Sequence, residues 1–89
     1  MAKIILYKAI PCGYCSAAIR FLKEVKQQTD MEIIDLTGKF QARKELKEKT
    51  GSRTVPQIYI NDVYVGGYDE MIALERQGKL DLLLANTAN

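Results

Sequence analysis

The feature that most constrains this chain is a change of hydrophobic period at Tyr14. Before it, Ile4, Ile5, Leu6 and Tyr7 form a short β-favouring run within Lys3 to Lys8, closed by the turn-like Ala9-Ile10-Pro11-Cys12-Gly13. After it, Cys15, Ala18, Leu22 and Val25 recur at intervals of three and four with Ile19 on the same face, while Arg20, Lys23, Glu24, Lys26 and Gln27 point elsewhere. The pattern predicts a buried strand, a loop, and an amphipathic helix reaching about Gln28. Met31 to Leu36 reads as a second strand, so the strand-helix-strand order implies a right-handed crossover with two parallel strands, both expected to be central.

The second half changes character. Lys39 to Thr50 reads as a charged surface helix anchored by Phe40, Ala42 and Leu46, with Gly51 placed to stop it. Val55 to Ile60 and Val63 to Val65 read as two short antiparallel strands joined by Asn61-Asp62. After Gly66-Gly67-Tyr68, Asp69 is expected to cap a last helix through Met71, Ile72 and Leu74, broken by Gly78 ahead of an apolar tail at Leu80, Leu82, Leu83 and Leu84. The expected architecture is an α/β sandwich of order βαβαββα, a four-stranded mixed sheet flanked by helices.

Composition removes several functions. Eighty-nine residues leave room for one domain, expected to span 1–89, and 47% hydrophobic with 27% charged residues is globular rather than disordered. Thirteen Lys plus Arg against eleven Asp plus Glu give +2, too even for a dedicated phosphate-backbone binder, so nucleic acid is not an expected partner. The chain has no histidine, which rules out Ser-His and Cys-His nucleophilic sites and Cys₂His₂ zinc sites. No run approaches the ~18 apolar residues of a membrane span, and the start is too briefly apolar for a signal peptide, so a cytoplasmic location without a membrane partner is expected.

The chain's two cysteines, Cys12 and Cys15, form a Cys-x-x-Cys pair. As a staple the pair closes too small a loop to constrain the unfolded chain much, and a zinc ribbon would need a second pair. Its position says more. Cys12 falls where a loop hands over to a helix, facing unpaired N–H groups and the positive end of the helix dipole, so its thiolate is expected to be favoured, with Lys8 adding to the effect if the loop folds back. Cys15, one turn deeper on the apolar face, suits a resolving thiol that attacks the mixed disulfide formed by Cys12. The alternative is a pair of core thiols, for which a Pro-Cys-Gly turn is poorly placed.

Cys12-Gly13-Tyr14-Cys15, then Thr54-Val55-Pro56-Gln57, then Gly66-Gly67-Tyr68-Asp69 lie in an order and at spacings by which the chain resembles the glutaredoxins, within the thioredoxin-like superfamily. The resemblance covers nearly the whole length. It implies a thioredoxin-like fold and a glutathione-dependent oxidoreductase that reduces protein disulfides and glutathione mixed disulfides. By the same resemblance Cys12 is the nucleophile, Cys15 the resolving thiol, and Tyr14 the aromatic residue beside the glutathione site. Thr54-Val55-Pro56 matches the loop whose proline is cis, with the Val55 backbone pairing to the cysteinyl part of glutathione. Read from the residues alone, Val-Pro is equally an edge-strand start. Gly67, Tyr68 and Asp69 match the segment that receives the γ-glutamyl end, where close backbone approach and helix N–H groups suit a carboxylate and Asp69 suits an ammonium. Arg43 is the candidate for the glycyl carboxylate, with Arg53 and Gln57 behind it. Residues Lys39 to Arg53 carry six cations and two anions, a local +4 that attracts the anionic tripeptide whichever cation touches it.

This chain departs from the commonest family pattern in two places. Gly13 stands where proline is usual, loosening the turn, and Ala9 stands where a lysine is usual, leaving Lys8 one position earlier. Members with glycine or serine at the first position resemble cluster carriers, so a [2Fe-2S] cluster held through Cys12 and glutathione between two chains is an alternative activity. A further alternative is a redoxin reduced directly by thioredoxin reductase. Otherwise the resemblance implies a monomer working with glutathione, a flavoprotein reductase and protein disulfides, ribonucleotide reductase among the family's substrates.

Overall fold

The computed structural model describes residues 2–85; Met1 and residues 86–89, the two ends of the expected 1–89 domain, lie outside the described residues. Four strands, β1 (Ile4–Lys8), β2 (Met31–Asp35), β3 (Gln57–Ile60) and β4 (Val63–Gly66), form one sheet in the order β2-β1-β3-β4. β2 runs parallel to β1, and β3 and β4 complete the sheet antiparallel. The helices are α1 (Gly13–Arg20), which continues into a π-helical turn over Phe21–Val25, α2 (Phe40–Thr50), α3 (Tyr68–Arg76) and the short α4 (Leu80–Ala85). The mixed, helix-flanked sheet is as expected, but the segment expected as an apolar tail after Gly78 is the helix α4, which buries Leu80 and Leu84, and β2 is an edge strand rather than a central one. Only β1 and β3 have partners on both sides, because the β3–β4 hairpin adds beside β1 and leaves β2 outside.

Strand alternation divides the side chains between two faces. Ile4 and Leu6 of β1 pair with Ile60 and Ile58 of β3, and these four pack with Ala18, Leu22, Met71, Leu80 and Leu84 as the main core. The opposite face carries Tyr7, Ile34 and Tyr59 and meets α2 through Leu46. Of the three anchors expected for α2, only Leu46 is buried; Phe40, the first residue of the helix, is 86% exposed. The hairpin turn forms as expected, with Asn61 and Asp62 both at positive φ (51° and 67°), the pairing a two-residue type I′ turn requires.

The rear of the first helix departs from a regular period. The Lys26 N–H donates to the Phe21 carbonyl, five residues back, and this wider turn rotates the face that follows. Val25, expected inward, is 59% exposed. Lys26, expected outward, is drawn in, its side chain 11% exposed between Glu75 of α3 (2.7 Å) and Asp81 of α4 (2.9 Å). These two carboxylates, Glu75 foremost, raise the Lys26 ammonium above its ordinary range.

Candidate active site

The sheet order sets the site. β1 delivers the chain to Cys12, which caps α1 with extended backbone (φ −158°, ψ 101°), and its Sγ accepts the Cys15 N–H at 3.1 Å. Helix geometry therefore directs a backbone donor at the first sulfur, and the first turn of α1 holds no acidic residue to oppose a negative charge there. Cys15 lies one turn in, 2% exposed, and is joined to Cys12 in a disulfide with a Cα–Cα separation of 5.3 Å. Cys12 is partly exposed and Cys15 buried, the difference in access expected from a turn position and an apolar helix face.

The loop before Cys12 is tied to the neighbouring strand. The Ile10 N–H donates to Thr37 Oγ1 (2.8 Å), and the Thr37 hydroxyl donates in turn to Asp35 Oδ1 (2.6 Å). That hydroxyl and the Thr37 N–H (2.9 Å) hold the Asp35 carboxyl below its ordinary range, with weaker attraction from Lys8 and Lys39.

Beside the sulfurs runs an open groove of about 340 Å³ lined by Tyr14, Thr54, Val55, Pro56, Gly67, Tyr68, Asp69 and Glu70. Three distant segments meet there because β3 lies next to β1 and β4 next to β3. Tyr14 and Tyr68 pack with ring centroids 5.9 Å apart. The Val55–Pro56 bond is cis, as is Ile10–Pro11, and Cys12 Sγ lies 3.6 Å from the Val55 carbonyl oxygen. The two glycines allow the closure: Gly66 sits at φ +110°, and a Cβ on Gly67 would come within 3.3 Å of the Pro56 carbonyl.

Most of the residues singled out in the sequence converge here, with differences of detail. Val55 and Pro56 precede β3 rather than opening it, since the strand ladder begins at Gln57. Asp69 lines the groove but does not cap α3; the helix starts one residue earlier, Gly67 is the cap, and Glu70 Oε1 accepts the Gly67 N–H at 2.7 Å. Glu70 was missed, although the three-residue spacing from Gly67 is that of a capping box with glycine in place of Ser or Thr. Lys8 and Arg43 stand outside the groove. Lys8 lines a second cavity of about 230 Å³ that Cys12 and Cys15 also line, together with Ala9, Ile10, Ser16 and Ile19, so it stands on the cysteines' other side from the groove residues, and the Arg43 guanidinium donates to the Arg53 carbonyl at 3.4 Å. Gln57 is buried beneath the groove's Thr54–Pro56 wall.

The family model for glutaredoxin matches residues 4–65. The chain belongs to the glutaredoxin family. It is 44% identical over 85 residues to a glutaredoxin of Pseudomonas aeruginosa, covering 96% of this chain and 99% of that one, and 33% identical over 84 residues to glutaredoxin 3 of Escherichia coli, covering 94% and 99%. Among solved structures it resembles a Brucella melitensis glutaredoxin (TM-score 0.81, 37% identity, 100% and 95% coverage) and a buckwheat glutaredoxin–glutathione complex (TM-score 0.83, 26% identity, 94% and 77% coverage). Membership of the glutaredoxins makes this chain a redox oxidoreductase with a thioredoxin fold and a redox-active cysteine pair. For an iron–sulfur cluster this glutaredoxin offers one accessible sulfur, Cys12, so four-sulfur ligation would need three thiolates from outside the chain. Among the described residues, no group of three or more cysteine, aspartate or glutamate side chains gathers to hold a metal ion.

Proposed function

We propose that this glutaredoxin is a glutathione-dependent dithiol-disulfide oxidoreductase acting on protein disulfides and glutathione mixed disulfides, with residues 1–89 as one domain. The observation that carries the reading is the position of Cys12 Sγ, which receives the Cys15 N–H and lies 3.6 Å from Val55 O on the wall of the groove. A nucleophilic sulfur and a groove with room for a small peptide thus share an edge. The buckwheat relative, whose complex contains glutathione, supports that ligand for this groove.

With a glutathionylated protein, the Cys12 thiolate attacks the glutathione sulfur. The S–S bond breaks, the protein thiolate leaves and takes a proton from water, and Cys12 carries the glutathione. A second glutathione thiolate then attacks the bound glutathione sulfur, releasing oxidised glutathione and restoring the Cys12 thiolate. With a protein disulfide, Cys12 forms a mixed disulfide and one substrate sulfur leaves. Cys15, deprotonated, attacks Cys12 Sγ; the second substrate sulfur leaves and the Cys12–Cys15 disulfide remains. Two glutathiones return that disulfide to the dithiol and depart as oxidised glutathione. Tyr14, Thr54, Val55, Pro56, Gly67, Tyr68 and Asp69 hold the tripeptide in this reading, with Val55 facing its cysteinyl part and Asp69 its ammonium. Lys8 and Arg43 contribute charge from outside the groove.

The proposed setting is the reducing cytoplasm, where a glutathione pool supplies electrons. No helix among the described residues is long and apolar enough to cross a membrane. The test is glutathione reductase-coupled turnover of a glutathionylated peptide and of a protein disulfide. Cys12→Ser is expected to fall to background with both substrates, and Cys15→Ser to keep the first reaction and lose the second. Full activity in Cys12→Ser would overturn the assignment. Turnover supported by thioredoxin reductase, but not by glutathione with its own reductase, would move the chain to the directly reduced redoxins.

A further inference from the structure

Gln57 is the buried polar side chain closest in sequence to the groove wall, and the mechanism above makes no use of it. It is 2% exposed at the start of β3. Its Nε2 donates to the Ser52 carbonyl (2.7 Å) and to the Thr54 carbonyl (3.0 Å), while among the described residues its Oε1 has no hydrogen-bond partner. The orientation of the amide is fixed by chemistry, since the reverse flip would press an oxygen against two carbonyl oxygens. A buried acceptor without a partner opposes folding, so what this side chain contributes comes through its nitrogen.

That nitrogen acts on one peptide group. The Thr54 carbonyl and the Val55 N–H belong to the same planar unit, which is trans, so they point in opposite directions. Drawing the carbonyl toward buried Gln57 turns the Val55 N–H away from it. Among the described residues no acceptor takes that N–H, and Val55 is part of the groove wall. The second bond, to Ser52, ties the same amide to the turn that follows α2. There Ser52 Oγ lies 3.0 Å from Thr54 Oγ1 and accepts the Thr54 N–H at 3.3 Å.

We propose that Gln57 is a positioning residue for glutathione: by holding the Thr54 carbonyl, it presents the Val55 N–H to the groove as a ready-made donor. The inference rests on the function proposed above, and it acts on substrate affinity rather than on the sulfur chemistry. Without the Gln57 donor the Thr54–Val55 peptide can rotate, and the ligand must order it on binding.

The decisive variant is Gln57→Met, which keeps the side-chain length and removes both donors along with the orphaned acceptor. The expected result is an apparent KM for glutathionylated peptide about tenfold higher, the scale of one lost hydrogen bond, with kcat within about twofold of the parent chain. An unchanged KM in a folded variant overturns the proposal, as does an equal fall in kcat. A second readout needs no glutathione: ¹⁵N relaxation of the free reduced protein is expected to show the Val55 amide more mobile in Gln57→Met than in the parent, and equal order in both overturns the proposal. If the parent shows no turnover with glutathione, the functional reading fails while this readout still judges Gln57. Should Gln57→Met not fold, the parent itself supplies the test. Disulfide exchange of Cys12 with glutathione is expected to shift the Gln57 side-chain NH₂ resonances together with the Val55 N–H, and a silent Gln57 overturns the proposal.

Discussion

The front and the rear of the first helix are both secured by charged side chains, but to opposite ends. At the front, ionised Asp35 holds the Thr37 hydroxyl, which receives the Ile10 N–H and braces the loop that leads to Cys12. At the rear, Lys26 is gripped by Glu75 and Asp81, joining the π-helical turn to α3 and α4. The front uses charge to fix backbone beside a reactive sulfur. The rear uses it to close a helix whose regular period has been interrupted. The comparison shows that the open side of the helix dipole is left clear for Cys12, while the ion-paired side chains that pin the helix sit at its far end.

The largest effect is expected at the core residue that lies between the two ends. Leu22, fully buried in the π-helical turn, is expected to cost about 2–5 kcal/mol on change to alanine, read by urea denaturation. A loss below about 1 kcal/mol would mean that the turn is not packed as described.

Next comes the front brace. Asp35 has a folded pKa below its ordinary value, so its contribution to stability is whole above the ordinary aspartate range and is lost as pH falls through the folded value. Asp35→Ala is therefore expected to unfold more readily than the parent at neutral pH, with the gap closing in acid; a gap independent of pH would contradict the brace.

The rear has the opposite sign. The folded pKa of Lys26 is raised, so its contribution is whole below the ordinary lysine value of 10.5 and is lost as pH rises through the folded value. Lys26→Met should show a smaller deficit than Asp35→Ala at neutral pH, disappearing only in strong alkali, with glutathione-linked turnover unchanged. The smallest effect is expected at Val25. Its change to alanine should stay within about 0.5 kcal/mol of the parent, as for an exposed site, whereas an uninterrupted α-helix would bury it and make the loss several times larger.

The same two ends mark how far the sequence could be read. Cys12 and Cys15 were legible because a strand-to-helix handover is a local pattern, written in neighbouring residues and in the turn between them. Val25 and Lys26 face the other way from the regular reading because a helical period assumes a constant rise and rotation, and the i−5 bonding of the π-helical turn changes both, reversing which of them faces inward. The expectation for Asp69 fails for a related reason. An aspartate before an apolar run is a good cap in isolation, but Gly67, two residues earlier, fills that role, with Glu70 Oε1 accepting its N–H. Hydrophobicity alone makes Phe40 an anchor, but α2 meets the sheet through Leu46 instead.

The order of elements as far as α3, the parallel pairing of the first two strands, the Asn61-Asp62 hairpin and the position of the cysteine pair were legible in the residues, since each depends on neighbours close together in the chain; α4 was not, because its short apolar run becomes a helix only where Leu80 and Leu84 reach the core. Only in three dimensions does β2 fall at an edge, do Tyr14, Val55 and Tyr68 share one groove, and does Gln57 reach the Thr54 carbonyl from beneath it. Those facts depend on which strand sits beside which, and sheet order is settled by burying the faces of all the elements together rather than by any one segment's pattern.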